Sequence, residues 1–563
     1  MRREFPSPDF LSLGGQLLLL SKLREGKISF SLIFILLFLP ICQCAQSKKN
    51  LSEEIKSAIL KATKYFDEKV SVEGGYVWHY SPDLSRRWGE LEANSTMAWV
   101  QGAGTVAMGN TFLDIYEATQ DEYFYSLAEK SAFALIKGQL ACGGWNYVID
   151  YAGEESIVKW YDTIGKNAWR LEEFQHYYGN ATFDDAATQG AATFLLRVYL
   201  IKSNSQIKTA LDKAINFILE SQYPLGGWPQ RFPATDQFRK NGNPDYTSYY
   251  TFNDNAMWNN IKFLFLCYAA LGEKRLIDPI KKAMDFYLLL QQPKPQAGWA
   301  QQYSMDLKPA AARSYEPQSL DPQYTERHIE LLIKYYELTG DKKYLSTISD
   351  ALDWLEEIKI SSDGDFYKVG KFIELGTNKI FYTHRVGSNV KCGRYFYDYN
   401  SENDLKHYHS IRTINMGRIK EEYKNVQTQN IKIAPKDTLW IPGLASEKTP
   451  YEIFKLLDET TNQQRDWMRG REPDSNFIKN ILSQLDSEGR WLTTRVYISN
   501  PYIGEPKCID PETNQYSGTE VGDEYDTSPY PNNTEQQYLS TAAYMMHVNI
   551  LLKYLEGIKE RNK

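Results

Sequence analysis

The feature that most constrains this chain is a unit that recurs through its middle. Ile115-Tyr116-Glu117-Ala118-Thr119-Gln120-Asp121 and Lys334-Tyr335-Tyr336-Glu337-Leu338-Thr339-Gly340-Asp341 each end an amphipathic helix, turn, and enter a second helix carrying an aromatic residue, Phe133 or Trp354. Tyr199 with Phe217 and Tyr268 with Phe286 repeat the arrangement, and the four tyrosine-to-ring separations are 17, 18, 18 and 18 residues. Such constant spacing predicts one helical hairpin used repeatedly. Three units close with a shared tail: Gln139 leads to Gly143-Gly144-Trp145, Gln222 to Gly226-Gly227-Trp228, and Gln292 to Gly298-Trp299. Gly74-Gly75-Tyr76 and Gly489-Arg490-Trp491 are weaker echoes near the two ends. Glycine there ends the second helix and permits a left-handed turn. Hairpins in this number predict an all-α chain, an α/α toroid with inner helices around a central cleft, a straight α-solenoid being the runner-up. Because the tails recur at one end of the hairpins, they are expected to line one mouth of the toroid.

A chain of 563 residues with net charge −7 has no domain-wide basic field, so a general nucleic-acid binder is excluded. Its aromatic content of 14% exceeds what a core needs, and flat rings grip sugar faces. Trp145 reads as glue between helices. Trp228 and Trp299, whose tails run on into polar segments, read as candidate sugar platforms. Near the start, Ile28 to Ile41 is an apolar run of about 14 residues ending in Cys42-Gln43-Cys44-Ala45, short for a membrane span and suited to a signal peptide. Residues 1–45 are thus expected to be an N-terminal extension and signal peptide, 46–435 a catalytic toroid, and 436–563 a helical extension completing it. Export is expected, to periplasm or exterior, with an outer-membrane lipoprotein as the second reading; the mature chain is expected to hold no stable membrane span and to be a monomer. Without the leader, Cys142, Cys267, Cys392 and Cys508 remain, too widely spaced for a zinc site or disulfide scaffold.

Two motifs in consecutive repeats match each other: Thr182-Phe183-Asp184-Asp185-Ala186-Ala187 and Thr251-Phe252-Asn253-Asp254-Asn255-Ala256. Helix capping explains one side-chain oxygen in each. It does not explain two adjacent carboxyl-type groups at both places. Asp184, Asp185, Asn253 and Asp254 are all-oxygen donors that suit calcium, and Asp185 with Asp254 would equally suit the acid and base of an inverting glycosidase. A third segment, Pro309-Ala310-Ala311-Ala312-Arg313-Ser314-Tyr315-Glu316, sets a lone arginine after small residues, where a ligand can approach it closely. Its alternative is a structural pair between Arg313 and Glu316.

Together, Gly226-Gly227-Trp228-Pro229-Gln230, Thr251-Phe252-Asn253-Asp254 and Ala312-Arg313-Ser314-Tyr315-Glu316 resemble the family 10 polysaccharide lyases, the pectate lyases (pectic acid lyases) with an α/α toroid. Glu374-Leu375-Gly376-Thr377-Asn378 and Thr383-His384-Arg385 extend the resemblance, which covers residues 55 to 425 or so. It implies cleavage of polygalacturonate (pectate) by Ca2+-assisted β-elimination, with unsaturated oligogalacturonates as product. It implies Arg313 as the base that removes the C5 proton, Asp184 and Asp254 at the calcium and substrate-carboxylate site, and Arg385 as a substrate-binding arginine. Tyr315, Trp228 and Trp299 are further substrate-binding candidates. The family's first motif has Asn after the aspartate, where this chain has Asp185. An insertion from Lys391 to His407 leaves Arg394 and Arg412 as candidates for a second substrate arginine. An inverting toroid glycoside hydrolase and a non-catalytic polysaccharide-binding protein are the competing readings; neither needs Arg313.

Overall fold

The computed structural model describes residues 50–165, 172–235, 245–386, 394–402, 404, 409–429, 431–439, 448–458, 473–494, 496 and 536–561. The leader assigned to 1–45, Cys392 and Cys508 lie outside the described residues. Among the described residues, no helix is long and apolar enough to cross a membrane.

The repeat folds as hairpins of an inner and an outer helix. In chain order the helices are α1 (50–65), α2 (Thr105–Thr119), α3 (Glu122–Lys137), α4 (Glu154–Thr163), α5 (Ala187–Ile201), α6 (Ser205–Glu220), α7 (Ala256–Leu271), α8 (Ile277–Leu290), α9 (Pro322–Thr339), α10 (Ile348–Glu357), α11 (Met416–Thr428), α12 (Pro450–Leu457), α13 (Ser475–Ser483) and α14 (Thr541–Arg561). The pairs α2/α3, α5/α6, α7/α8 and α9/α10 are the four units read from the sequence. Their turns follow from local chemistry. Gly272 and Gly340 end α7 and α9 at φ 71°. Asp121 and Asn204 cap α3 and α6 by accepting from backbone N–H groups of the first turn. The inner helices α5 and α7 are apolar on most sides and buried, whereas α6 is amphipathic with one buried face, as inner and outer positions require.

The tails join one hairpin to the next. A Cβ on Gly143, Gly226 or Gly489 would lie 2.5, 2.4 or 2.9 Å from the carbonyl oxygen of Lys213, Lys282 or Lys61 on another unit's outer helix. The following glycine leaves room for the repeat-spaced ring: Gly144 lies against Phe217, Gly227 against Phe286 and Gly298 against Trp354. The constant spacing therefore records a glycine-to-ring contact between neighbouring units. The Gly489–Lys61 contact closes the ring onto its first helix. There Thr63 Oγ1 lies 2.6 Å from the Tyr544 hydroxyl and the Phe66 and Tyr544 ring centroids are 4.7 Å apart, so α14 and α1, from opposite ends of the chain, share one hairpin. The short α12 packs against α5 and α7, where Asp458 pairs with Lys262 at 3.0 Å and Tyr451 meets Arg197 and Glu117.

Two sequence readings change. The third tail's functional glutamine is Gln291, not Gln292. Gln291 Nε2 donates to the Ala297 and Thr347 carbonyls, as Gln139 does to Gly143 and Ala210, and Gln222 to Gly226 and Pro279. Two extra residues in Pro293–Ala297 shifted the apparent register. Trp228 and Trp299, expected as sugar platforms, are 0% exposed, as is Trp145. Their indole N–H groups donate at 2.8 Å to Leu135 (from Trp145), Ile218 (Trp228) and Tyr287 (Trp299), in the last turn of each outer helix. No ring face is left for a sugar. The toroid also carries an antiparallel β insert between α10 and α11, with strands Ser361–Asp363, Phe366–Gly370 and Ile411–Asn415 in one sheet, and Phe372–Ile373, Ile380–Val386 and Arg394–Asp398 in another.

Trp228→Phe keeps an aromatic ring but loses part of its buried volume and leaves the Ile218 carbonyl without its donor. It is expected to lower unfolding free energy by about 1–3 kcal/mol with KM unchanged, measured by denaturant titration alongside kinetics.

Candidate active site

Each motif aspartate sits in a short turn before an inner helix, Asp184–Ala186 before α5 and Asn253–Asn255 before α7. The turns hang on the tails that close their own hairpins: Phe183 N donates to Gln230 O, and Phe252 N to Gln301 O. In both, two successive non-glycine residues are left-handed: Asp185 and Ala186 at φ 46° and 57°, Asp254 and Asn255 at φ 50° and 58°. That conformation costs about 1–2 kcal/mol per residue. Such strain persists where the surroundings over-determine it, and it clusters at functional sites. The recurrence sets Asp184 equivalent to Asn253, and Asp185 to Asp254. Asp184 is 1% exposed and Asn253 is buried, while Asp254 is half-buried and Asp185 opens to the cleft. Below Asp185 an axial cavity of about 250 Å³ runs past Gln101 and Gln189 towards Arg197 and Lys262.

Arg313 reaches both turns from the loop before α9. Only 5% exposed, its guanidinium lies 3.0 Å from Asp184 Oδ2, 3.3 Å from Glu173 Oε2, 3.6 Å from Glu316 Oε1 and 4.0 Å from Asp254 Oδ2. Tyr147 donates its hydroxyl to the same Asp184 Oδ2 at 2.6 Å. The Glu316 side chain also accepts from Arg313 N, so the pair considered at the sequence level exists, but buried. Glu172 fastens the loop by accepting from Ser314 N and Oγ. On the other turn, the Tyr324 hydroxyl donates to Asn253 Oδ1 and accepts from Asp254 N.

One guanidinium among this many carboxylates leaves a surplus of negative charge. Burial, then the charges of Asp184 and Asp185, push Asp254 well above the usual carboxylate range. Burial and Asp184 push Asp185 up to about 7, even though its side chain opens to the cleft, because that cleft is deep. Glu173 is raised by burial, with Arg313 opposing. The cation expected from the sequence fits this set in kind. The donors are all oxygen, and Asp184 Oδ1 is buried without a hydrogen-bond partner. Among the described residues no three His, Cys, Asp or Glu are arranged to hold a metal ion, so Asp184 and Asp254 would leave most coordination positions to water and substrate oxygens.

The structure thus brings together Arg313, Asp184, Asp254, Asp185 and Asn253. Tyr315 is 1% exposed, with its ring 4.9 Å from that of Tyr395, so the sugar contact expected of it has no free ring to use. Arg385 and Arg394 fall in neighbouring strands, Arg385 opposite Tyr395 and Val386 opposite Arg394; their side chains lie outside the described residues. Arg412 pairs in register with Val369, and its Nε is buried without a hydrogen-bond partner. Sequence reasoning missed Tyr147, Glu173 and Lys371. Tyr147 carried a signal, since it stands two residues after a tail tryptophan, as Gln230 and Gln301 do. Glu173 is one of an adjacent acidic pair, a pattern that carries no signal of burial. Lys371 is 7% exposed and burial lowers it to about 8, against the charges of Asp321 and Glu316.

Residues 158–403, which contain both turns and the Arg313 loop, match the family model for pectic acid lyase. This chain carries a pectic acid lyase segment. The resemblance read from the motifs is borne out, over a narrower span than 55 to 425. No curated protein sequence matches this chain. Among solved structures, an aspartate-to-alanine mutant of family 10 polysaccharide lyase from Cellvibrio cellulosa, in complex with trigalacturonic acid, is 20% identical, covering 49% of this chain and 86% of its own at TM-score 0.33. Cellobiose 2-epimerase from Bacillus thermoamylovorans is 11% identical, covering 90% and 100% at TM-score 0.38. An α-mannanase from Bacteroides thetaiotaomicron is 10% identical, covering 90% and 97% at TM-score 0.38.

Asp185 has a folded-state pKa near 7 against an ordinary 3.8, so its contribution to stability is present below about pH 4 and lost as pH rises through 7. Asp185→Asn, melted in chelator, is therefore expected to raise the thermal midpoint at pH 8, with the gain fading towards pH 4.

Proposed function

We propose that this chain is an exported pectate lyase that cleaves 4-linked α-galacturonan by calcium-assisted β-elimination, releasing unsaturated oligogalacturonates. The observation that carries the reading is the buried Arg313 set against Asp184 and Asp254 inside the pectic acid lyase segment. Export rests on the apolar run from Ile28 to Ile41.

The C5 proton of galacturonate lies beside a carboxylate and is weakly acidic. Calcium held by Asp184 and Asp254, and shared with the substrate carboxylate, would supply Lewis-acid stabilisation of the charge that develops when that proton leaves. In this reading Arg313 takes the proton at a guanidinium nitrogen. The sequence suggested small and aromatic residues around it, which would favour its neutral form by desolvation; the structure surrounds it with carboxylates, which favour the cation. Offsetting the negative charge of Asp184 and Asp254 would lessen that bias while the burial of Arg313 remains. Tyr147 fixes Asp184 Oδ2. Glu173 and Glu316 hold the other guanidinium nitrogens, so Arg313 keeps its place as its charge changes. Burial keeps bulk water from the nitrogen that receives the proton. Arg385 and Arg412 are the candidates for gripping neighbouring galacturonate carboxylates, with the bidentate geometry arginine provides.

On polygalacturonate, ultraviolet absorbance of unsaturated uronates is expected to rise with calcium and to stop with chelator; cleavage in chelator without that absorbance would point to a hydrolase. Arg313→Lys is expected to lower kcat by at least about a hundredfold, the scale of losing a positioned base, while oligogalacturonate binding by calorimetry persists. Loss of binding as well would make Arg313 a clamp.

A further inference from the structure

Arg313 holds a position that a cation bound to Asp184 and Asp254 would have to contest. Its Nη2 lies 3.0 Å from Asp184 Oδ2 and 4.0 Å from Asp254 Oδ2, so one nitrogen bridges the two carboxylates proposed to bind calcium. Asp184 Oδ2 is occupied by this nitrogen and by the Tyr147 hydroxyl, leaving Oδ1 as the oxygen without a partner. At 5% exposure the guanidinium is poorly screened, and a divalent ion at the same pair would meet a like charge within a few ångströms. The surroundings give Arg313 somewhere to shift: Glu173 and Glu316 face its Nε and Nη1 and would keep it paired if Asp184 and Asp254 turned to another cation.

We propose that Arg313 and calcium are alternative counter-ions for the Asp184–Asp254 pair, so that the free enzyme binds calcium weakly and substrate oxygens are needed to displace the guanidinium. This rests on the calcium-assisted reading above and adds an order of events to it. The metal arrives with or after the sugar, and Arg313 is released from Asp184 and Asp254, while still paired with Glu173 and Glu316, only when substrate is present. The guanidinium is thereby held on those two carboxylates until substrate displaces it.

The test is isothermal titration of Ca2+ into the full chain, with and without trigalacturonate. Wild type is expected to bind Ca2+ weakly alone and at least tenfold more tightly with trigalacturonate. Arg313→Ala is expected to bind Ca2+ alone at least tenfold more tightly than wild type, a gain that a merely structural role would not produce. Arg313→Gln, checked by circular dichroism, repeats the measurement should the alanine variant fail to fold. Should both variants unfold, the wild-type pair of titrations decides: less than a threefold effect of trigalacturonate overturns the proposal. Unchanged or weaker binary binding in a folded variant also overturns it, while strong ternary binding in that same experiment leaves the calcium reading standing. Absence of calcium binding under every condition removes the calcium reading and this inference together.

Discussion

A tryptophan N–H placed on the last turn of an outer helix is the contact from which the rest of this toroid is organised. The final carbonyls of an α-helix have no partner within it. In four units an indole supplies one: Trp145 to Leu135, Trp228 to Ile218, Trp299 to Tyr287 and Trp491 to Ile481. That hydrogen bond folds the tail back over its own helix and presents its glycines to the next unit. There, any Cβ would strike a backbone carbonyl or an aromatic ring. The same tail then pairs with the strand that leads into its own unit's inner helix, as Arg231–Phe232 does with Ala181–Thr182 and Gln302–Tyr303 with Tyr250–Thr251, while its tryptophan carbonyl accepts from the strand before the next inner helix, Trp145 O from Thr182 N and Trp228 O from Thr251 N. The start of every inner helix is therefore fixed by the tail beside it, and the site stands on those starts.

This placement explains how strained turns and buried carboxylates can coexist. The left-handed pairs at Asp185–Ala186 and Asp254–Asn255 are held between tail and helix, so stability generated by packing elsewhere offsets their conformational cost. The resulting concentration of negative charge is held by Arg313, with Tyr147 and Tyr324 supplying neutral hydrogen bonds. A site with surplus carboxylate and one buried guanidinium is poised rather than relaxed. Its raised Asp254, Asp185 and Glu173 show that a further positive charge, from protons or from a cation, would be welcome.

The proposed action of an acidic chain on a polyanion is then no contradiction. Net charge of −7 describes the far field, which salt screens over about 8–10 Å. The near field at the cleft is set by Arg313 and the carboxylates around it. The aromatic excess also finds a different use from the one expected. Trp228 and Trp299 close the ring, as Trp145 was expected to, rather than grip sugar, because an indole that reaches a helix carbonyl beneath the next unit is covered by that unit.

Hairpins, tails and the Thr-Phe-Asx-Asp-x-Ala pair were legible in the chain because each is a local pattern with a fixed period, written in the spacing of rings and glycines. Arg313 was legible as a lone charge among small residues. Tyr147 could have been found from its place after Trp145, and Gln291 from allowing a two-residue insertion; Glu173 and Lys371 left no trace, since burial is not a property of a residue type. The sequence by itself determined the repeating hairpin, the residue types at the two turns and the kinship of residues 158–403. Only the tertiary structure decided that Asp184 meets an arginine 129 residues away and that the first and last helices form one hairpin. The physical reason is that period and propensity act over a few turns of chain, whereas the partner of a buried charge is chosen by ring closure, which brings distant segments to the same few ångströms.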